Sequence, residues 1–417
     1  MTRTRRDFFR STAGLPASWI ALVQTLRAAP VNPGPLNEDY WRMVKRQFPL
    51  EDNLIYFNAA NVCPASRAVL DRHAEFLRDF QSNPSFQNRD KYDPLAERAR
   101  EKAARLLGCN KDEIAFPRNT SEGSNIVVRG IDLNPGDEIV ITAHNHPSNN
   151  DSWKVRARRD KLVVKTAAVP VPARSRQQLI DSIEGAVTDR TRVIAITHVT
   201  NTTGNAYPVK DIVQIARRRN IWLHLDGAQS LGALDVNLHD LGVDSYAGSA
   251  HKWMMGPLEA GILYVRAERI PQLWPSVVTA GWSENLVGAR KFEVFGQRDN
   301  PRLVAVDAAL DFLHLIGMKH IEARLRAIVQ HGKQQLAAIR GVEIKTPMDP
   351  DLSGGVIKFN IAKMEPKQAY DLLYQRHRLA IANTGAGDAK GLRFSPHIYN
   401  TIEEMDRAVA AVRELAG

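Results

Sequence analysis

The sequence predicts an α/β protein, with a large domain built on a mainly parallel sheet covered by helices and a smaller C-terminal α+β domain. Three observations carry this. From about residue 95 to 266, short apolar runs alternate with helical periodicity, the pattern of βαβ units. After Pro301 the texture changes to two long helices and then a second set of strands. The chain has 417 residues and is 44% hydrophobic, too long for one core and too apolar for a disordered chain.

Taken in order, the chain opens with an address. Arg5 and Arg6 precede Asp7, Phe8 and Phe9, a moderately apolar run follows to Leu26, and Ala28-Ala29-Pro30 closes it. This is the layout of a twin-arginine export signal, so residues 1–29 are read as a signal peptide and a periplasmic location is expected. The run is short and interrupted by Pro16, and no other segment reaches about 18 consecutive apolar residues, so the mature form is expected off the membrane. The formal net charge of +10 invites a nucleic-acid reading. Five arginines against one aspartate in residues 1–29 account for +4 of it, however, and the remaining +6 forms no dominant stripe. No nucleic-acid partner is expected. Two cysteines, Cys63 and Cys109, are too few for a disulfide framework or a zinc cage.

Residues 30–55 are read as an N-terminal arm, 56–300 as the large domain and 301–417 as the small domain. Strands are predicted at 138–142, 162–168, 193–199, 221–225, 245–249 and 261–265, with helices between them such as 177–187 and 210–219. In the small domain, helices at 303–316 and 320–339 lead into strands at 342–345, 356–360, 379–382 and 392–395. A last helix starts at Thr401, whose hydroxyl can cap it while Glu404 reaches back. In parallel sheets, ligands bind at the loops after the strands' carboxyl ends, and the chemistry is expected there.

Ser249-Ala250-His251-Lys252-Trp253 follows a strand directly, placing a lysine where it could form a Schiff base with an aldehyde cofactor. Leu225-Asp226-Gly227-Ala228-Gln229 also follows a strand. Alone, Asp226 reads as a helix cap. Paired with Lys252, it reads as the carboxylate that keeps a pyridine nitrogen protonated. Asn119-Thr120-Ser121 opens a helix, so its hydroxyls and free amides serve as a cap or as a phosphate site, which share one geometry. His144 and His146 are spaced as a metal pair might be, but no third ligand accompanies them and no metal is expected; an imidazole stacked on a planar ring explains the position equally well.

Together the loops NTSEGSN, HPSN, HVTNTTG, DGAQ and SAHKW resemble the class V aminotransferase family of fold-type I pyridoxal-phosphate enzymes, and within it the isopenicillin N epimerase-like branch. The resemblance runs from Tyr56 to the C-terminus. It implies pyridoxal 5'-phosphate as cofactor, Lys252 as the Schiff-base lysine, Asp226 on the pyridine nitrogen, Gln229 on the ring hydroxyl and His146 stacked on the ring. It further implies Thr120, Ser121, Ser249 and His251 on the phosphate, Asn201 near the cofactor's oxygen side, and Arg393 on a substrate carboxylate. A homodimer with its site at the subunit interface follows from the family, and Gln297 stands where relatives often carry a Gly-Thr pair that reaches a neighbour's phosphate.

Desulfurases of the family carry a nucleophilic cysteine on the loop before the strand bearing the arginine. Here that loop reads Asn383-Thr384-Gly385-Ala386-Gly387-Asp388-Ala389. Persulfide chemistry is therefore not expected, and Cys63 and Cys109 read as packing residues. The resemblance leads to an enzyme acting at the α-carbon of a small amino acid or amino-terminated peptide as epimerase, aminotransferase or tailoring enzyme. The alternatives are a β-eliminating C–S lyase without a catalytic cysteine and a non-catalytic binding protein. Tyr92, His397 and Tyr399 are candidates for a second acid.

Overall fold

In the computed structural model, which describes residues 34–417, a seven-stranded sheet has the order β2-β8-β7-β6-β5-β3-β4. Its strands are β2 (Ile114–Ala115), β3 (Glu138–Thr142), β4 (Val163–Ala167), β5 (Thr191–Thr197), β6 (Trp222–Asp226), β7 (Ser245–Ser249) and β8 (Gly261–Val265). The pairings from β4 through β7 are parallel, and β8 runs antiparallel to both its neighbours. The short strand β1 (Ile55–Tyr56) lies outside this sheet.

Side chains of the central strands alternate between two apolar layers. Ile194, Ile196, Leu223, Leu225, Ile262 and Tyr264 enter one core. Val193, Ala195, Trp222, Leu263 and Val265 enter the other. A strand buried on both faces has no polar side to show, which is why these segments read as continuous apolar runs. The helix predicted at 177–187 is Arg176–Glu184, and that at 210–219 is Val209–Arg218.

The small domain is an antiparallel sheet in the order β12-β13-β10-β9, formed by β9 (Val342–Ile344), β10 (Ile357–Ile361), β12 (Ala382–Thr384) and β13 (Gly391–Phe394). The strand expected over 379–382 is two pieces. β11 (Leu379–Ala380) pairs in parallel with β1 of the N-terminal arm, and β12 then pairs with β13. Ile55 and Phe57 consequently pack in the small core with Ile357, Phe359 and Phe394. The arm's helix Glu38–Lys45 is tied to the same region, where Lys45 bonds Glu404 at 2.6 Å.

Helix Asn300–Ile316 begins where the small domain was placed, yet Val306, Leu310 and Phe312 are buried in the large core. The helix lies against helices Arg67–Ser82 and Tyr92–Leu107, where Asp307 accepts from Arg98 at 2.6 Å and Lys102 at 2.7 Å. The chain passes from one core to the other within helix Met318–Ala337: Ile321 and Leu325 belong to the large core, Ile328 and Leu336 to the small one. The capping box at Thr401 opens helix Ile402–Ala416. The sequence readings of residues 1–33 lie outside the described residues.

Candidate active site between the two domains

Four adjacent parallel strands end at one place. β3 leads to His146, β5 to Asn201, β6 to Asp226 and β7 to Ser249 and Lys252. A cavity of about 460 Å³ opens there, lined from the large domain by His146, Asn201 and Lys252 and from the small domain by Arg393, Asn383 and Tyr370.

Asp226 ends β6 almost wholly buried, and its Oδ1 accepts the Ala228 amide at 2.9 Å. Burial pushes its carboxyl above the usual range, against the pull of that amide, Lys252 and His146. Lys252 sits on the cavity floor, and burial pulls its ammonium down, with Asp226 opposing and Arg393 reinforcing the shift. Both groups are thus pressed toward their neutral forms. A cation beside Asp226 would restore its charge, which is what a protonated ring nitrogen supplies.

The phosphate-type cradle lies at the start of helix Thr120–Gly130. Thr120 donates its backbone amide to Ser249 Oγ at 2.9 Å, and the two hydroxyls lie 2.6 Å apart. Asn119 caps the helix by accepting the Glu122 amide at 3.0 Å. The Nδ1 of His251 is buried without a partner, and burial holds this imidazole down at about 4, so it is a neutral group with polar capacity unspent. Ser121 follows Thr120 in the first turn, half-buried.

His146 caps helix Pro147–Asp160, with Nδ1 2.8 Å from Ser148 Oγ, which fixes its ring. Asn145 pins the same loop: it donates to Ala195 O at 2.9 Å and accepts from Thr142 Oγ1 at 2.8 Å. His144 points elsewhere, 3.6 Å from Asp388. Among the described residues, no group of three or more His, Cys, Asp or Glu is placed to hold a metal. Gln229 accepts from Trp253 Nε1 at 2.7 Å and donates to Ala60 O at 3.0 Å, leaving one amide hydrogen. Arg393 donates to Asn201 O at 2.9 Å and Asn58 Oδ1 at 2.8 Å, while its Nε and Asn201 Oδ1 remain unpartnered.

These residues fit a planar ring carrying a phosphate: an anion cradle, a buried carboxylate for the ring nitrogen, an amine for the aldehyde, and unspent polar atoms. The Aminotransferase class-V family matches residues 55–408. The chain belongs to that family.

Class V aminotransferases are pyridoxal-phosphate-dependent enzymes. The isopenicillin N epimerase of Amycolatopsis lactamdurans is 30% identical over 393 residues, covering 90% of this chain and 98% of that protein. A probable cysteine desulfurase of Methanothermobacter thermautotrophicus is 28% identical with the same coverage of both chains. Among solved structures, the apo cysteine desulfurase of Thermococcus onnurineus superposes with a TM-score of 0.81 at 24% identity, covering 89% of this chain and 97% of that one. The complex of the cystine C-S lyase C-DES with cysteine persulfide also gives 0.81, at 22% identity and with 88% and 99% covered. The likeness to these structures is one of fold.

Among the expected site residues of this class V chain, Gln297 stands apart. It is exposed, accepts from Arg89 at 3.1 Å and does not line the cavity. The candidate second acids do not line the cavity either. His397 bonds Trp253 O at 2.8 Å, Tyr399 donates to Cys63 Sγ at 3.6 Å, and Tyr92 donates to Phe76 O at 3.0 Å. Cys63, distant in sequence, is brought beside the lysine loop, its amide donating to His251 O at 2.7 Å. Its thiol is buried, and burial pushes it up well beyond the range of a nucleophile. Asn58, Asn61, Lys367 and Tyr370 line the cavity and belong to no motif.

Proposed function

We propose that this class V enzyme acts at the α-carbon of an amino acid or amino-terminated peptide metabolite. The observation that carries the reading is the convergence of Lys252, His146 and Arg393 on one cavity above buried Asp226. When bound, pyridoxal phosphate supplies an aldehyde for the substrate amine and a protonated pyridine that draws electrons from the α-carbon. Thr120, Ser121, Ser249 and His251 would hold the phosphate, Asp226 the proton on the ring nitrogen, Gln229 the ring hydroxyl and His146 the ring face, with Asn201 on the oxygen side. Lys252 would tether the cofactor through its amine, and its lowered affinity for protons suits it to serve as the base at the substrate's α-carbon. Arg393 offers a planar guanidinium to the substrate carboxylate.

Such an enzyme would be an epimerase if the α-proton were returned to the opposite face of the substrate, an aminotransferase if the substrate left as a keto acid, and a lyase if a β-substituent were lost. The lyase reading without a catalytic cysteine is kept because neither Cys63 nor Cys109 lines the cavity. Incubation with amino-acid and peptide pools in deuterated water separates the three: deuterium at Cα with inversion, keto acid, or pyruvate with sulfide. The purified protein is expected to carry the absorbance of a lysine-bound cofactor, a band that Lys252→Ala should lose. A colourless wild type that takes up no pyridoxal phosphate would reduce the protein to a non-catalytic fold.

Two further parts of the proposal concern setting. The protein is exported by the twin-arginine route and works in the periplasm, a reading that rests on Arg5 and Arg6. It is a homodimer in which Gln297 completes a neighbour's phosphate site, a reading supported by the exposure of Gln297 and its distance in the chain from its own cradle.

A further inference from the structure

We infer that Lys358 is a positioning residue for the substrate carboxylate: buried beneath the β12–β13 turn beside Arg393, its ammonium fixes that cavity wall and adds a second positive charge to the carboxylate site. The inference rests on the amino-acid chemistry proposed above and deepens it.

Lys358 is completely buried. Its three N–H bonds are spent on Gly391 O at 2.7 Å, Thr384 Oγ1 at 3.0 Å and Thr384 O. Thr384 and Gly391 face each other at the base of the β12–β13 turn, so one ammonium clamps both of its stems. Asn383 and Thr384, just before that turn, line the cavity. Lys358 also lies directly opposite Arg393 in the β10–β13 register. Residues so paired leave the sheet on the same face.

Two buried cations therefore stand side by side, and among the described residues neither makes an ion pair. The charged groups acting on Lys358 are Arg393 from β13 and Lys345 just after β9, both positive. Lys345 in turn binds Asp388 O at 2.6 Å, while the Asp388 carboxylate faces His144 at 3.6 Å. Against Arg393 stand the neutral Asn201 carbonyl, after β5, and the Asn58 side-chain oxygen, after β1, with Tyr56 of β1 the titratable group acting on it. Burial, aided by these two cations, holds Lys358 down at about 7, and burial holds Arg393 at about 10. The cavity lining contains Lys252, Lys367 and Arg393 but no Asp or Glu. The counter-charge this arrangement lacks is a carboxylate delivered by the substrate, whose arrival favours the protonated lysine.

The test compares two hydroxylamines that consume the absorbance of any lysine-bound pyridoxal phosphate: aminooxyacetate, which carries a carboxylate, and methoxyamine, which does not. Wild-type holoenzyme is expected to prefer aminooxyacetate on the order of tenfold at about pH 6, the effect of one buried charge at short range. The preference should shrink as the pH rises through about 7, where Lys358 loses its proton. Lys358→Met should show the small preference at every pH, and Lys358→Arg should keep the large preference to higher pH. If Lys358→Met retained the wild-type preference and profile, or Lys358→Arg kept the wild-type falling limb, the inference would be overturned while the cofactor chemistry stood. A protein that reacts with neither probe overturns both together.

Discussion

Asp226 and Lys252 are each costly where they stand, since burial disfavours both charged forms. Such a pair persists when a ligand satisfies it, and single changes there should damage chemistry more than folding. Asp226→Asn keeps the shape and removes the charge. Turnover is expected to fall about a hundredfold or more while cofactor binding is retained, read as kcat against cofactor absorbance. Arg393→Lys keeps charge but loses the planar fork, so KM should rise about tenfold or more in steady-state kinetics while the cofactor spectrum stays as it is. Asp226 was legible because it closes an apolar strand within a short string, and Arg393 only through the family resemblance, since it lies inside strand β13. Lys358, Asn58 and Tyr370 were not, since nothing near them in the chain marks a sheet register or a domain contact.

At the level of elements, the cradle depends on close approach. A side chain on Gly261 would come within 2.9 Å of the Asn119 Cα and 2.7 Å of Gly248 O. Strand β8 lies that near the helix start only because it lacks a Cβ. Gly261→Ala should push Thr120 from Ser249 and weaken cofactor affinity about tenfold, measured by titrating apo-protein with pyridoxal phosphate; unchanged affinity would dissociate the helix position from phosphate binding. At the other end of the chain, Thr401 both caps and is capped, its hydroxyl accepting the Glu404 amide at 3.1 Å. Thr401→Ala should cost about 1 kcal/mol in denaturant unfolding. This capping box was visible in sequence because it is local. The splitting of residues 379–384 between two sheets was not, because the partner of β11 is more than 300 residues away at β1.

For the whole molecule, the burial of several histidines sets the response to acid. His198 and His397 are held down at about 4 and His224 at about 3, in each case first by burial. An unfolded chain would protonate them near 6.5, so it binds more protons than the folded one below that pH. Their stabilisation is fully present above about 6.5 and is lost progressively as the pH falls toward 4 and 3. The Tm should drop over that window, and His224→Gln should flatten part of the slope. The export proposal is tested on the full chain: Arg5→Lys with Arg6→Lys is expected to leave the protein in the cytoplasm, and a variant still found in the periplasm would refute that route.

By itself the sequence determined the βαβ order, the strand-end motifs and the residue types proposed to hold a pyridine, a phosphate and a carboxylate, because these depend on periodicity and on neighbours a few residues apart. The tertiary structure decided which of them meet. It set Arg393 above Lys252 from a different domain, drew the N-terminal arm into the small core and carried helix Asn300–Ile316 into the large one. It also hid Cys63 beneath the site and placed Lys358 beside Arg393. Each of these follows from sheet register and core packing between segments far apart in the chain, where burial changes what a charged or polar group can do.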